Sequence, residues 1–133
     1  MVLVGLTGCA GGQRVVQLGE YTIYVHGRSL LPRGGEAALI EGWLALRDGC
    51  VVLESEDKKF WYPVVWPAGT SIASDDPFVL RLPSGAELAV GDKVTGGGGF
   101  HSPENVEVGI PQKCLPETNE IAVFNPDDDA SKG

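Results

Sequence analysis

Gly42-Trp-Leu-Ala-Leu-Arg47 and Cys50-Val-Val-Leu-Glu54, separated only by Asp48-Gly49, decide how the remainder of this 133-residue chain is read. Both runs are too short for helices of ordinary length. Each is apolar enough to lie in a sheet. The Asp-Gly step tolerates positive φ, which the tight primed turns of hairpins require. A hairpin over residues 42–54 is therefore predicted, and strand signals extend outward from it in both directions.

On the N-terminal side, Tyr21-Thr-Ile-Tyr-Val-His26 is dense in aromatic and β-branched residues and reads as a strand, with Pro32-Arg-Gly-Gly35 opening a loop after it. Ala37-Ala-Leu-Ile-Glu41 fits either a short helical turn or the lead into a strand. On the C-terminal side, the charged turn 54–59 precedes a third strand, Phe60-Trp-Tyr-Pro-Val-Val-Trp66. Pro63 lacks a ladder donor, which places it at an edge or a bulge. Residues 68–77 read as a loop. A second hairpin is predicted from Phe78-Val-Leu-Arg-Leu82 and Glu87-Leu-Ala-Val90 around Pro83-Ser-Gly-Ala86. Lys93-Val-Thr95 runs into Gly96 to Gly99, and Ile121-Ala-Val-Phe124 closes the set. Six or seven short strands with little helix predict an all-β chain, a single small OB-like β-barrel over residues 13–124. Residues 125–133 read as a polar, acidic, mobile tail.

Composition agrees with one globular domain: 43% hydrophobic and 21% charged residues, with 19 Gly and 9 Pro to supply turns. The formal net charge is −8, and the ten Lys and Arg are scattered. Neutralising a phosphate backbone needs clustered cations, so nucleic acid is not an expected partner. No apolar run is long enough to span a bilayer.

The front end, residues 1–12, is small and apolar. Leu6-Thr7-Gly8-Cys9 resembles the lipobox of bacterial lipoproteins, although no Lys or Arg precedes it. That resemblance implies acylation of Cys9, cleavage before it, and anchoring on the outer face of the cell membrane, since several acyl chains on one residue hold stably. Two other readings stand beside it: a buried N-terminal strand, or a phosphate-cradling loop on Gly5, Gly8, Gly11 and Gly12. The loop needs a helix after the glycines, and Gln13-Arg-Val-Val-Gln-Leu-Gly19 has no helical stripe. Three cysteines leave an odd one in any disulfide scheme. With lipid on Cys9, the remaining pair is Cys50 with Cys114; the alternative is two separate buried thiols. Metal binding is not expected, because His26 and His101 lack ligand-like spacing to either cysteine.

Four features invite chemistry, and each has a structural competitor. The Gly96–Gly99 run would let a ligand approach bare backbone, but a bulge or barrel corner needs glycine equally. Phe60, Trp61, Tyr62 and Trp66 would suit a sugar ring or a partner's apolar side chain, yet aromatics usually fill cores. His101-Ser102 with Glu104 suggests nucleophilic catalysis, but adjacent strand residues point to opposite faces. Asp127 to Asp129 lacks the alternating ligands of a calcium loop.

Gly49-Cys50, Trp66-Pro67, Gly91-Asp-x-Val94 and the glycine run together resemble small uncharacterised lipoprotein domains of high-GC Gram-positive bacteria, over about residues 42–115. The resemblance implies location and fold, with no activity and no cofactor. The expectation is a non-enzymatic cell-envelope domain that binds another protein. The alternative is a small-ligand or glycan receptor. Tyr62, Trp66, Gly97, Gly98 and Phe100 are the expected contact residues.

Overall fold

The computed structural model describes residues 12–27, 36–126 and 130–133. Strands β1 (Gln13–Leu18) and β2 (Tyr21–His26) form an antiparallel hairpin. The central hairpin follows as read: β3 (Ala38–Arg47) and β4 (Cys50–Glu54) pair with Arg47 opposite Cys50. Asp48 and Gly49 hold φ of 51° and 81°, the left-handed values the turn demands. Residues 38–41 belong to β3, so the helical option for that segment is set aside.

β5 (Trp61–Trp66) pairs antiparallel with β4 through residues 61–63 and parallel with β2 through Val65 and Trp66. Pro63 is therefore not at a sheet edge. It sits opposite Val52, just before β5 passes from β4 to β2. After β5 comes β6 (Ser71–Asp75), within the stretch expected to be loop; mixed polar and small residues hid it. β6, β7 (Phe78–Arg81) and β8 (Glu87–Ala89) form a separate three-stranded sheet, and the second predicted hairpin is its β7–β8 half.

β9 (Lys93–His101) pairs antiparallel with β3 on one side and with β10 (Ile121–Phe124) on the other. β10 lies parallel to β5. Strand pairing thus runs from β3 through β4, β5, β10 and β9 back to β3. The result is all-β but not a clean closed barrel, because β5 divides between β4 and β2 and the β1–β2 hairpin extends the sheet. The tail also differs from expectation. Ser131 and Lys132, forming β11, pair with Thr95 and Val94, and Ala130 is buried. Lys132 reaches Asp92 (3.4 Å), and Ala130 supplies an apolar plug that acidic composition concealed.

Inside the ring lies the main core: Ile23, Val25, Ile40, Leu44, Leu53, Val64, Trp66 and Phe124, capped by Phe78, Leu80, Leu82 and Leu88 from the smaller sheet. A second apolar layer lies outside the ring, and it positions the candidate site.

Candidate functional site

Residues 102–120, joining β9 to β10, contain only two short 3-10 turns, Pro103–Asn105 and Gln112–Cys114. This strap carries Val106, Val108, Ile110 and Leu115 onto Tyr24, Val65, Ile121 and Val123, the residues that alternation turns away from the main core. Desolvation there pushes the Tyr24 phenol above its ordinary pKa. Cys114 is disulfide-bonded to Cys50, with Cα atoms 5.7 Å apart across 64 positions, and both cysteines are buried beside Val52. A long connection with few local bonds thereby becomes a fixed wall.

The expected contact residues separate into two groups. Trp66 is fully buried and stacks on Phe124 at 5.5 Å, so its expected ligand contact is corrected to core. Gly98 is also internal: a Cβ there would lie 2.6 Å from Cδ1 of Ile40 and 2.9 Å from Cα of Phe124. At Gly96 a Cβ would meet the Phe124 ring at 2.8 Å. Gly97 accepts a backbone bond from Asn125 N (2.9 Å). The glycine run lets β9 press against β10 and Phe124, a close-approach role. Tyr62 and Phe100, by contrast, come together with ring centroids 5.1 Å apart, and Phe100 remains 40% exposed. Desolvation, aided by the nearby Glu120 charge, raises the Tyr62 pKa.

A cleft of about 350 Å³ opens where the strap leaves the disulfide. It is lined by Lys59, Phe60, Trp61, Leu115, Pro116, Glu117 and Thr118. Its aromatic wall is held from below by a tight turn. Oδ1 of Asp57 accepts from Lys59 N (3.0 Å) and from Ser55 Oγ (2.7 Å), while Phe60 N donates to Ser55 Oγ (3.1 Å). Those bonds, the Lys59 amide first, hold the Asp57 carboxyl below its ordinary pKa. Phe60 is consequently a half-exposed ring on a fixed backbone. The Arg47 guanidinium lies over Trp61 at 4.9 Å and pairs with Glu54 (3.3 Å), which fixes the second ring. The sequence flagged Phe60 and Trp61 as aromatics. It gave no sign of residues 115–118, which follow directly on the Cys114 that is bonded to Cys50.

A second cleft of about 280 Å³ gathers both histidines of the chain with Gln13, Glu36, Asn105 and Asn125. Nε2 of His101 donates to Oε1 of Glu36 (2.6 Å), and Nε2 of His26 donates to the Phe124 carbonyl (2.8 Å). Asn125 clamps Glu36 by accepting from its N–H (2.7 Å) and donating to its carbonyl (2.8 Å). A histidine–carboxylate pair is two thirds of a hydrolytic triad. However, the Ser102 hydroxyl is engaged by Nδ2 of Asn105 (3.1 Å), and Glu36 is half-exposed rather than buried. The pair is a surface clasp between the start of β3 and the end of β9.

Among the described residues, no group of three or more His, Cys, Asp or Glu is arranged to hold a metal ion. Among them also, no helix is long and apolar enough to cross a membrane. Cys9 and residues 127–129 lie outside the described residues, so the lipid and calcium readings are not addressed by the fold. Comparison with protein-family models, curated proteins and solved structures finds no match to this chain.

Proposed function

We propose that this chain is an exported, non-enzymatic binding domain of the cell envelope, built on an OB-type barrel and anchored by lipid on Cys9. Its binding point is the Phe60–Trp61 cleft, and its partner is an envelope protein that inserts one apolar side chain there. The observation that carries this reading is the cleft itself: two aromatic rings held by fixed backbone, facing residues 115–118. Its volume is at the lower end of ligand pockets, which run from about 300 to 1,000 Å³. That size suits a single inserted group better than an extended ligand. Export is supported by the Cys50–Cys114 bridge, since such bonds persist in oxidising compartments. The pairing ring of β3, β4, β5, β10 and β9, with β5 and β10 parallel, supports the OB-type assignment. A single sugar ring is the second reading, favoured by Glu117 and Thr118, which place hydroxyl-binding groups in the same cleft as Phe60.

Photo-crosslinking from position 60 of the membrane-anchored chain tests the proposal. One discrete protein adduct, lost when Thr118→Arg fills the cleft, is the expected result. Saccharide-induced shifts of the Trp61 indole N–H without an adduct would select the second reading. Neither response would overturn both. Intact-mass analysis of the chain expressed with its native upstream region checks acylation of Cys9 separately.

A further inference from the structure

Cys50 and Cys114 are not sealed inside the main core. They pack against Val52, Ala45, Trp61 and Ile110, and they also line a cleft of about 170 Å³ with Glu20, Tyr24, Gly49 and Lys113. Each keeps a little exposure, 5% at Cys50 and 7% at Cys114. The turn leading into Cys50 is bare: a Cβ built on Gly49 would meet nothing within 4 Å. Lys113 immediately precedes Cys114 and brings an ammonium to the same cleft, where Glu20 and Tyr24 are the other titratable groups. A disulfide sulfur departs more readily as a thiolate when a cation stands beside it. Thiol exchange needs an opening and gains from a cation; a purely structural staple needs neither.

What the bond holds is equally local. The backbone hydrogen bonds of the strap at Cys114, Leu115 and Asn119 go to Pro111, Gln112 and Pro116, all within the strap itself. Gln13 grips it farther back, at Glu107. Residues 115–118, one wall of the Phe60–Trp61 cleft, begin at the residue after Cys114. We propose that the Cys50–Cys114 bond is an exchange site for a protein dithiol of the cell envelope, and that its reduction opens the strap and dismantles the Phe60–Trp61 cleft. The second half of this inference rests on the reading of that cleft as the binding point. In the exchange, one thiolate of the dithiol attacks Sγ of Cys50, beside the bare turn. The Cys50–Cys114 bond breaks, and Sγ of Cys114 leaves with the electron pair next to Lys113 and takes a proton from water. The second thiol of the dithiol then attacks its own bridged sulfur and releases Cys50 as a thiol. Two electrons pass to this chain, and the dithiol departs as a disulfide. The bound state of the domain is thereby the oxidised one.

Reduction of the full folded chain by dithiothreitol, followed by alkylation and intact mass, tests the exchange site. Native reduction should run less than about 100-fold slower than reduction in denaturant; a slowing of about 1,000-fold or more would mean that the bond opens only through unfolding, and overturns the proposal. Lys113→Glu should slow native reduction about 3- to 10-fold, and an unchanged rate overturns the assignment of Cys114 as the leaving sulfur. Amide exchange of the reduced chain tests the gate without any partner. Residues 115–118 should lose protection while Ile121 to Phe124 keep theirs; joint loss makes the bond a staple and overturns the gate, as does retained protection at 115–118. Crosslinking from position 60 should be present in the oxidised chain, absent in the reduced one and restored on reoxidation. Equal crosslinking in both forms overturns the gate and leaves the cleft reading standing. Absence in both overturns the cleft reading, with the reduction rate and amide exchange still deciding the exchange site.

Discussion

The two sides of β10 are built on different principles. Toward the inside, Ala122 and Phe124 meet the glycines of β9 and the Trp66 ring, and the fit is set by close contact alone. Toward the outside, Ile121 and Val123 meet the strap, which has almost no regular structure and depends on one covalent bond to stay in place. The inner side is stable because it is dense; the outer side is stable because it is tied. Dense packing leaves no room for a ligand, whereas the tied wall ends in a cleft. That difference explains why the glycine run and Trp66 fill space while Phe60 and Trp61 face an opening.

Mutations on the two sides should therefore have unequal effects. Trp66→Ala should cost about 3–5 kcal/mol, since it removes the largest ring of the inner core and leaves a cavity beside Phe124. Chemical denaturation would measure it, and a loss under about 1 kcal/mol would mean that the inner packing is looser than described. Cys50→Ser should cost about 2–4 kcal/mol, chiefly by releasing a long loop in the unfolded chain. An unchanged melting temperature would remove the tie from the account. Phe60→Ala should change stability by only about 0.5 kcal/mol, the range of exposed positions, and yet abolish crosslinking or ligand shifts at the cleft. Loss of both together would make Phe60 a structural residue.

Acid should act on the turns first. Asp57 and Asp92 have carboxyls held below the ordinary value, Asp57 mainly by the Lys59 amide and Asp92 mainly by the Ala89 amide. A lowered folded pKa means the stabilisation is fully present above the unfolded value of 3.8 and is lost as pH falls through the lower folded value. Below that window the Ser55–Phe60 turn and the Asp92–Lys132 tether should loosen while the glycine contacts stay closed. Amide exchange of Lys59 and Ala89 against pH would show it; uniform loosening across β9 would contradict it.

Much of the inner side was legible because periodicity and turn chemistry are local. Asp48-Gly49 named its own turn, and the short apolar runs of β3, β4 and β10 read as strands from their residue types. Trp66 was harder, since an aromatic next to a proline suits a platform or a core equally until its neighbours are known. β6 was missed because Ser71 to Asp75 has little apolar signal, its strand character coming from pairing with β7. The docked tail was missed because one alanine and two backbone pairs outweigh an acidic composition. The cleft was half visible: its rings lie in one run, but its opposite wall is 55 positions away from Phe60 at Leu115 and is placed by sulfur rather than by pattern.

Amide hydrogen exchange of the oxidised chain, compared with the Cys50→Ser variant under native conditions, tests that division most directly. The tied-wall account predicts that residues 106–118 lose protection in the variant while Gly96 to Gly99 and Ile121 to Phe124 keep theirs. Equal protection of the strap in both forms, or simultaneous loss in the strap and the glycine run, would contradict it.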